Sequence, residues 1–331
     1  MLAFELYDKI FEPMSERYHL HPELEKLLEE LSALREPEPF RIPWLNIILF
    51  LLTVASTMFF GSYMAHYDPD IRRFWVYLKY HPEWWLDGLP FSITLMVILL
   101  SHELGHFLFS RYHRVPASLP YFIPAPNLVG TFGAVILMRG RIRDRKALLD
   151  IGSAGPICGF IVSLFAMYIG IKTARIVPFE KSESLILFQP NLLIHWALFK
   201  WLPNIEPSSV IQSAILDASW VGFFVTMLNL LPIGQLDGGH IAYACFGERT
   251  TYLSWGMIVI LFIMGFLFWA GWLFFGIFAL LLMGPKGIKH PPPLYPEIKL
   301  DWKRKLIALA SFAIFVLTFI PTPFVVTAQI P

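Results

Sequence analysis

The chain has 331 residues, 56% of them hydrophobic and only 15% charged, with a formal net charge of +1 and a mean hydropathy of +0.57. A soluble domain of this length carries more charge, so the composition excludes that class and predicts a polytopic membrane protein. There is no basic tract to suit a nucleic acid, and two cysteines, Cys158 and Cys245, are too few for a disulfide framework or a cysteine-rich metal site.

The first 42 residues carry ten Asp or Glu against five Lys or Arg and predict no cleavable signal peptide. Within them Pro22 suits a helix first turn, Glu23 and Glu25 suit its positive end, and Leu24, Leu27, Leu28, Leu31 and Leu34 form one stripe. This predicts an amphipathic, solvated or surface-bound helix that ends at Pro37 and Pro39. Residues 43–331 then read as a transmembrane domain. Apolar spans fall at Pro43–Met64, Leu89–Tyr112, Asp150–Ile171 and Val210–Leu231, each near the ~20 residues that cross a bilayer. Thr251–Met283 is apolar throughout, too long for one crossing as a single helix and short for two, and it reads as either one long helix or, by preference, a hairpin that turns near Trp269–Trp272. A last span covers Leu306–Ile320, and Leu185–Trp201, broken by Pro190, reads as interfacial. The expected fold is thus all-α, with about six to seven transmembrane helices.

One segment departs from this pattern. Pro116, Pro120, Pro124 and Pro126 exclude a regular helix, and Gly130 to Leu137 reads as a short strand. Non-helical backbone at membrane depth needs protein cover or a wet cavity. The expectation is a small membrane-embedded strand or re-entrant element.

The second span ends in His102-Glu103-Leu104-Gly105-His106. Positions i and i+4 share a helix face, so His102 and His106 can grip one zinc ion with Glu103 beside its water. Ionisable residues are expensive in lipid and mark function there. A hydrolytic motif at that depth points to peptide cleavage inside the membrane.

A catalytic zinc needs a third protein ligand. The long motif with a histidine ten residues after the first fails, because Tyr112 stands there, and the next glutamate after Glu103 is Glu180. The acidic candidates are Asp144, Asp150, Asp217 and Asp237. Asp144 reads as paired with its neighbouring arginines, and Asp150 as a helix cap. The basic cluster Arg139–Lys146 and the loop Lys286–Lys305 predict that both are cytoplasmic, which places the histidines toward that side. Asp217 and Asp237 lie twenty residues apart, at opposite ends of a span, so only Asp237 shares the side of the histidines. Pro232, Gly234, Gly238 and Gly239 around it can turn the chain back toward a metal. On its own, Asp237 reads equally well as a solvated helix-end aspartate. His240 is a minor ligand candidate, and Gly152, Gly155 and Gly159 read as a helix-packing face.

His-Glu-x-x-His in one span, followed by Asn229-Leu230-Leu231-Pro232 and Leu236-Asp237-Gly238 in a later one, resembles the site-2 protease family of intramembrane zinc metalloproteases. The resemblance covers most of residues 90–245, within a catalytic core of about 89–245. It implies zinc bound by His102, His106 and Asp237, with Glu103 as general base and Asn229 holding the oxyanion or the substrate backbone. It also implies a substrate-binding strand at Gly130, Thr131, Phe132, Gly133, Ala134 and Val135. The implied partners are the bilayer and transmembrane protein or peptide substrates, with oligomers left open. The implied setting is a prokaryotic inner membrane with the site toward the cytoplasm. The segment Lys172–Ser209 is too short for the peptide-binding PDZ domain that many relatives carry. A zinc-binding transporter and an inactive protease-like scaffold are the competing classes.

Overall fold

The computed structural model describes residues 42–66, 71–178, 186–203 and 209–326, and the amphipathic helix expected over Pro22–Leu34 lies outside them. In chain order α1 (Trp44–His66) leads to a short α2 (Ile71–Tyr80), a 3-10 turn at Pro82–Gly88 and α3 (Leu89–Tyr112). A β-hairpin follows, β1 (Tyr121–Pro124) and β2 (Thr131–Val135), then the 28-residue α4 (Arg145–Lys172). Beyond α4 come β3 (Arg175–Pro178), β4 (Ile186–Phe188), α5 (Leu192–Trp201) and β5 (Ser209–Gln212). The chain then builds α6 (Ala214–Asn229), α7 (Asp237–Phe246), α8 (Thr250–Leu267), α9 (Gly271–Gly287), α10 (Trp302–Thr318) and β6 (Phe324–Val326).

Four apolar helical runs among the described residues are long enough to cross a membrane: Trp44–His66, Pro82–Tyr112, Arg145–Lys172 and Asp237–Leu267. Shorter apolar helices cover Ala214–Asn229 and Gly271–Leu281. The chain is therefore a helical polytopic membrane protein. The run expected over Val210–Leu231 is shortened to 16 residues, about 24 Å. Its first residues pair as β5 with β3, and the Ser213 hydroxyl caps α6 by accepting from the Leu216 N–H. The run Thr251–Met283 is a hairpin as expected. Its helices pack antiparallel, with Gly265 against Leu273 and Gly276 against Leu261.

The central packing joins α3, α4 and α6 through Phe91, Leu95 and Leu99, Met167 and Ile171, and Trp220 and Phe223. A second cluster sets Met227 and Leu231 against Ile258, Leu261 and Trp272 of the hairpin. Two carboxylates exchange the roles that their neighbours in sequence suggest. Asp144 is the N-cap of α4, accepting from the Lys146 and Ala147 N–H groups. Asp150 is the paired one: it accepts from Arg304 of α10 at 2.6 Å and from His113 at the end of α3 at 2.9 Å. His113 thus ties the end of α3 to α4.

The hairpin is antiparallel, pairing Tyr121 with Val135 and Phe122 with Ala134, with a register shift before Pro124 meets Thr131. α1 holds it along its length. Asn46 donates to the Leu119 and Pro120 carbonyls, and the Ser56 hydroxyl donates to the Gly130 carbonyl at 2.6 Å. Gly130 has φ +82°, and a Cβ there would lie 2.7 Å from the Ser56 carbonyl oxygen. Its close approach is to α1.

Candidate metal centre

His102 and His106 lie ten and six residues before the end of α3, about 15 and 9 Å into the bundle. Their i, i+4 spacing brings Nε2 to Nε2 at 3.2 Å. Asp237 closes the group from the first turn of α7, its Oδ2 3.3 Å from His102 Nε2 and 3.2 Å from His106 Nε2. Among the described residues this is the one group of three or more His, Cys, Asp or Glu side chains close enough together to hold an ion. A tetrahedral zinc with bonds of 2.0–2.1 Å sets its ligand atoms about 3.3 Å apart, which is the spacing seen here. The residues fit the ion.

The sequence brings Asp237 there by breaking a helix. α6 ends at Asn229, and Pro232 interrupts the chain before α7 starts. Ser254 of α8 satisfies the buried break: it donates to the Pro232 carbonyl and accepts from the Gly234 N–H. Gly238 and Gly239 turn out to be helical. They matter because a Cβ at either would strike the carbonyls of Leu230 or Gly234.

α4 supplies the other wall. His106 Nδ1–H donates to the Ile151 carbonyl at 2.8 Å, leaving the Nε2 lone pair facing Asp237 and His102. A Cβ at Gly155 would fall on the His106 ring, and one at Gly159 would lie 3.1 Å from His102 Nδ1. The packing face read from sequence therefore receives the two imidazoles themselves. Small residues three or four apart on a span were the visible signal; their partner was not.

Glu103 is buried at 5% exposure and faces the backbone N–H of Ile136, just past the end of β2. Asn229 Nδ2 lies 3.2 Å from His102 Nε2. Both side chains thus border the triad. Asp237, with its side chain 16% exposed, is its most open member. On the strand, Phe132 and Val135 are exposed at 61% and 44%, while Thr131 is buried and donates to the Ile123 carbonyl. Among the described residues β2 pairs only with β1, so its second edge has no strand. Asp144, Asp150 and Asp217 stay away from the triad. His240 pairs through Nδ1 with His290, a contact the sequence reading missed.

Residues 90–271, more than half of the chain, match the model of peptidase family M50. The probable zinc metalloprotease EGY1, chloroplastic, of Arabidopsis thaliana is 31% identical over 257 residues, covering 68% of this chain and 45% of that protein. Its namesake in Oryza sativa subsp. japonica is 30% identical, covering 66% and 40%. The probable zinc metalloprotease EGY2, chloroplastic, of Arabidopsis thaliana is 27% identical over 305 residues, covering 89% and 52%. The chain spans about half the length of these relatives. With the metal triad inside the matched residues, the chain belongs to peptidase family M50, the site-2 protease family.

Proposed function

We propose that the chain is an intramembrane zinc metalloprotease that hydrolyses peptide bonds within or near the transmembrane segments of membrane-protein substrates. The observation that carries this reading is the His102, His106 and Asp237 triad, spaced for zinc, beside Glu103 and inside a bundle of apolar helices. The zinc metalloprotease names of the relatives support it.

His102, His106 and Asp237 would hold the ion, which supplies an acidified water and polarises the scissile carbonyl. Glu103 takes the proton released as the water oxygen bonds to the carbonyl carbon. It then delivers that proton to the amide nitrogen as the C–N bond breaks, so the products are a carboxyl and an amine. The Asn229 amide donates to the oxygen that gains charge between those steps. The free edge of β2 receives the substrate as an added strand, which satisfies backbone groups that an unwound helix exposes in lipid. The exposed Phe132 and Val135 and the closeness of Ile136 to Glu103 favour this placement. The family match and the relatives' names favour a protease over a transporter.

The site opens to the cytoplasmic side in this proposal. The segment carrying Arg139 to Lys146 and the loop before α10 meet at that end of the bundle, with the Leu294 and Tyr295 N–H groups donating to the Ile142 and Arg143 carbonyls. The relatives are chloroplast proteins by name, so the prokaryotic inner membrane expected from sequence gains no support from them.

Three outcomes test this reading. Glu103→Gln should keep its zinc and lose cleavage of a transmembrane substrate by ~10²–10⁴ or more; near-normal proteolysis in detergent or liposomes would sink the mechanism. Val135→Pro should slow cleavage far more than Val135→Ala at equal zinc content, and equal rates would rule out strand addition. A cysteine at Arg141, in a chain with Cys158 and Cys245 replaced, should react with an impermeant reagent only from the cytoplasmic side. Labelling from outside intact cells would reverse the orientation.

A further inference from the structure

One buried polar pair close to the triad has no part in the mechanism above. His240 lies one turn beyond Asp237 on α7, and its Nδ1 is 2.6 Å from Nε2 of His290. Both residues are buried. His290 belongs to the strap that connects α9 to α10, and its ring stacks on Tyr243 of α7 at 4.7 Å. Its Nδ1 lies 2.6 Å from the Pro291 carbonyl, to which it donates. That bond settles the protons along the pair. His290 Nε2 is left with its lone pair and must accept, so the His240 Nδ1–H donates to it. Burial pushes the His290 imidazole down to about 4, so the ring stays neutral at pH 7 and keeps that acceptor.

The strap is pinned on both sides of His290. Ile288 sits in the hairpin core, and Leu294 and Tyr295 are bonded to Ile142 and Arg143. Farther on, Arg304 grips Asp150, the neighbour of Ile151. The Cβ of His240 in turn rests on Gly152, where an added Cβ would be 2.8 Å away and 3.3 Å from the Asp237 carbonyl oxygen. His240 therefore wedges between the turn that carries Asp237 and the stretch of α4 whose Ile151 carbonyl orients His106.

We propose that His290 is a positioning residue for the metal centre: acting through His240, it fixes the first turn of α7 and so the place of the Asp237 carboxylate against His102 and His106. This rests on the zinc reading given above. His290 touches no ligand; it supplies the acceptor that His240 needs and anchors it to a strap tied to α4.

Two substitutions separate the hydrogen bond from the packing. His290→Phe keeps a ring to stack on Tyr243 and removes the acceptor. His290→Gln gives up the ring and keeps an acceptor oxygen. The measurements are zinc affinity of the purified full-length chain, by competition with a chelator, and the visible spectrum of its cobalt-substituted form. Positioning predicts a 10–100-fold loss of affinity and altered cobalt bands in His290→Phe, with both restored toward wild type in His290→Gln. A His290→Phe chain with wild-type affinity and spectrum overturns the inference, as does equal impairment in both variants, which would assign the residue to packing alone. A wild-type chain that takes up no zinc overturns the metal reading and this inference with it. Normal wild-type uptake beside a normal His290→Phe overturns this inference alone.

Discussion

Two imidazoles and a carboxylate meet within 3.3 Å of one another, about 9–15 Å below the end of a helix bundle. An aspartate at the centre of a membrane helix costs about 2.5–3.5 kcal/mol on insertion scales, and a buried unpaired charge costs several. Zinc coordination is worth about 10–16 kcal/mol in small structural sites, so a bound ion outweighs the cost of gathering its ligands. Most of the irregular features of the chain serve that gathering. α6 stops at Asn229, the break at Pro232 is stitched by Ser254, and α7 restarts with Asp237 at its positive end, where a carboxylate is favoured. Gly155 and Gly159 leave α4 hollow where the imidazoles lie.

Backbone that is not helical has to be satisfied by protein at this depth. The hairpin β1–β2 meets the requirement on one side by its own pairing and on its flank through Asn46 and Ser56 of α1. Among the described residues no strand pairs with the second edge of β2, next to the Ile136 amide that faces Glu103. In the proposed reaction an unwound substrate would add to that edge as a further strand. Such binding through backbone groups would leave side-chain preference to a few exposed positions such as Phe132 and Val135.

Much of the site could be read in the sequence because its physics is local. The spacing of His102 and His106 defines a helix face, and Pro232 and Gly234 announce the break before Asp237. Length against bilayer thickness favoured a hairpin in Thr251–Met283 without excluding one long helix, and the structure has two helices there. What could not be read depends on partners distant along the chain. Asp144 and Asp150 look alike in a basic stretch; which one caps and which one pairs is decided by Arg304, 154 residues beyond Asp150. Gly130 suits any close backbone approach, and only tertiary packing shows that α1 takes it. The shortening of α6 goes with the pairing of β5 with β3, and His240 finds its hydrogen-bond partner in a histidine 50 residues away.

X-ray absorption at the zinc edge of the purified chain tests the metal centre most directly. A zinc held by His102, His106 and Asp237 predicts about one ion per chain, two imidazole nitrogens and only oxygen in the rest of the first shell, at about 2.0–2.1 Å. Asp237→Ala should lower the zinc content and change that shell. A sulfur ligand near 2.3 Å, or a content and spectrum untouched by Asp237→Ala, would contradict the assignment.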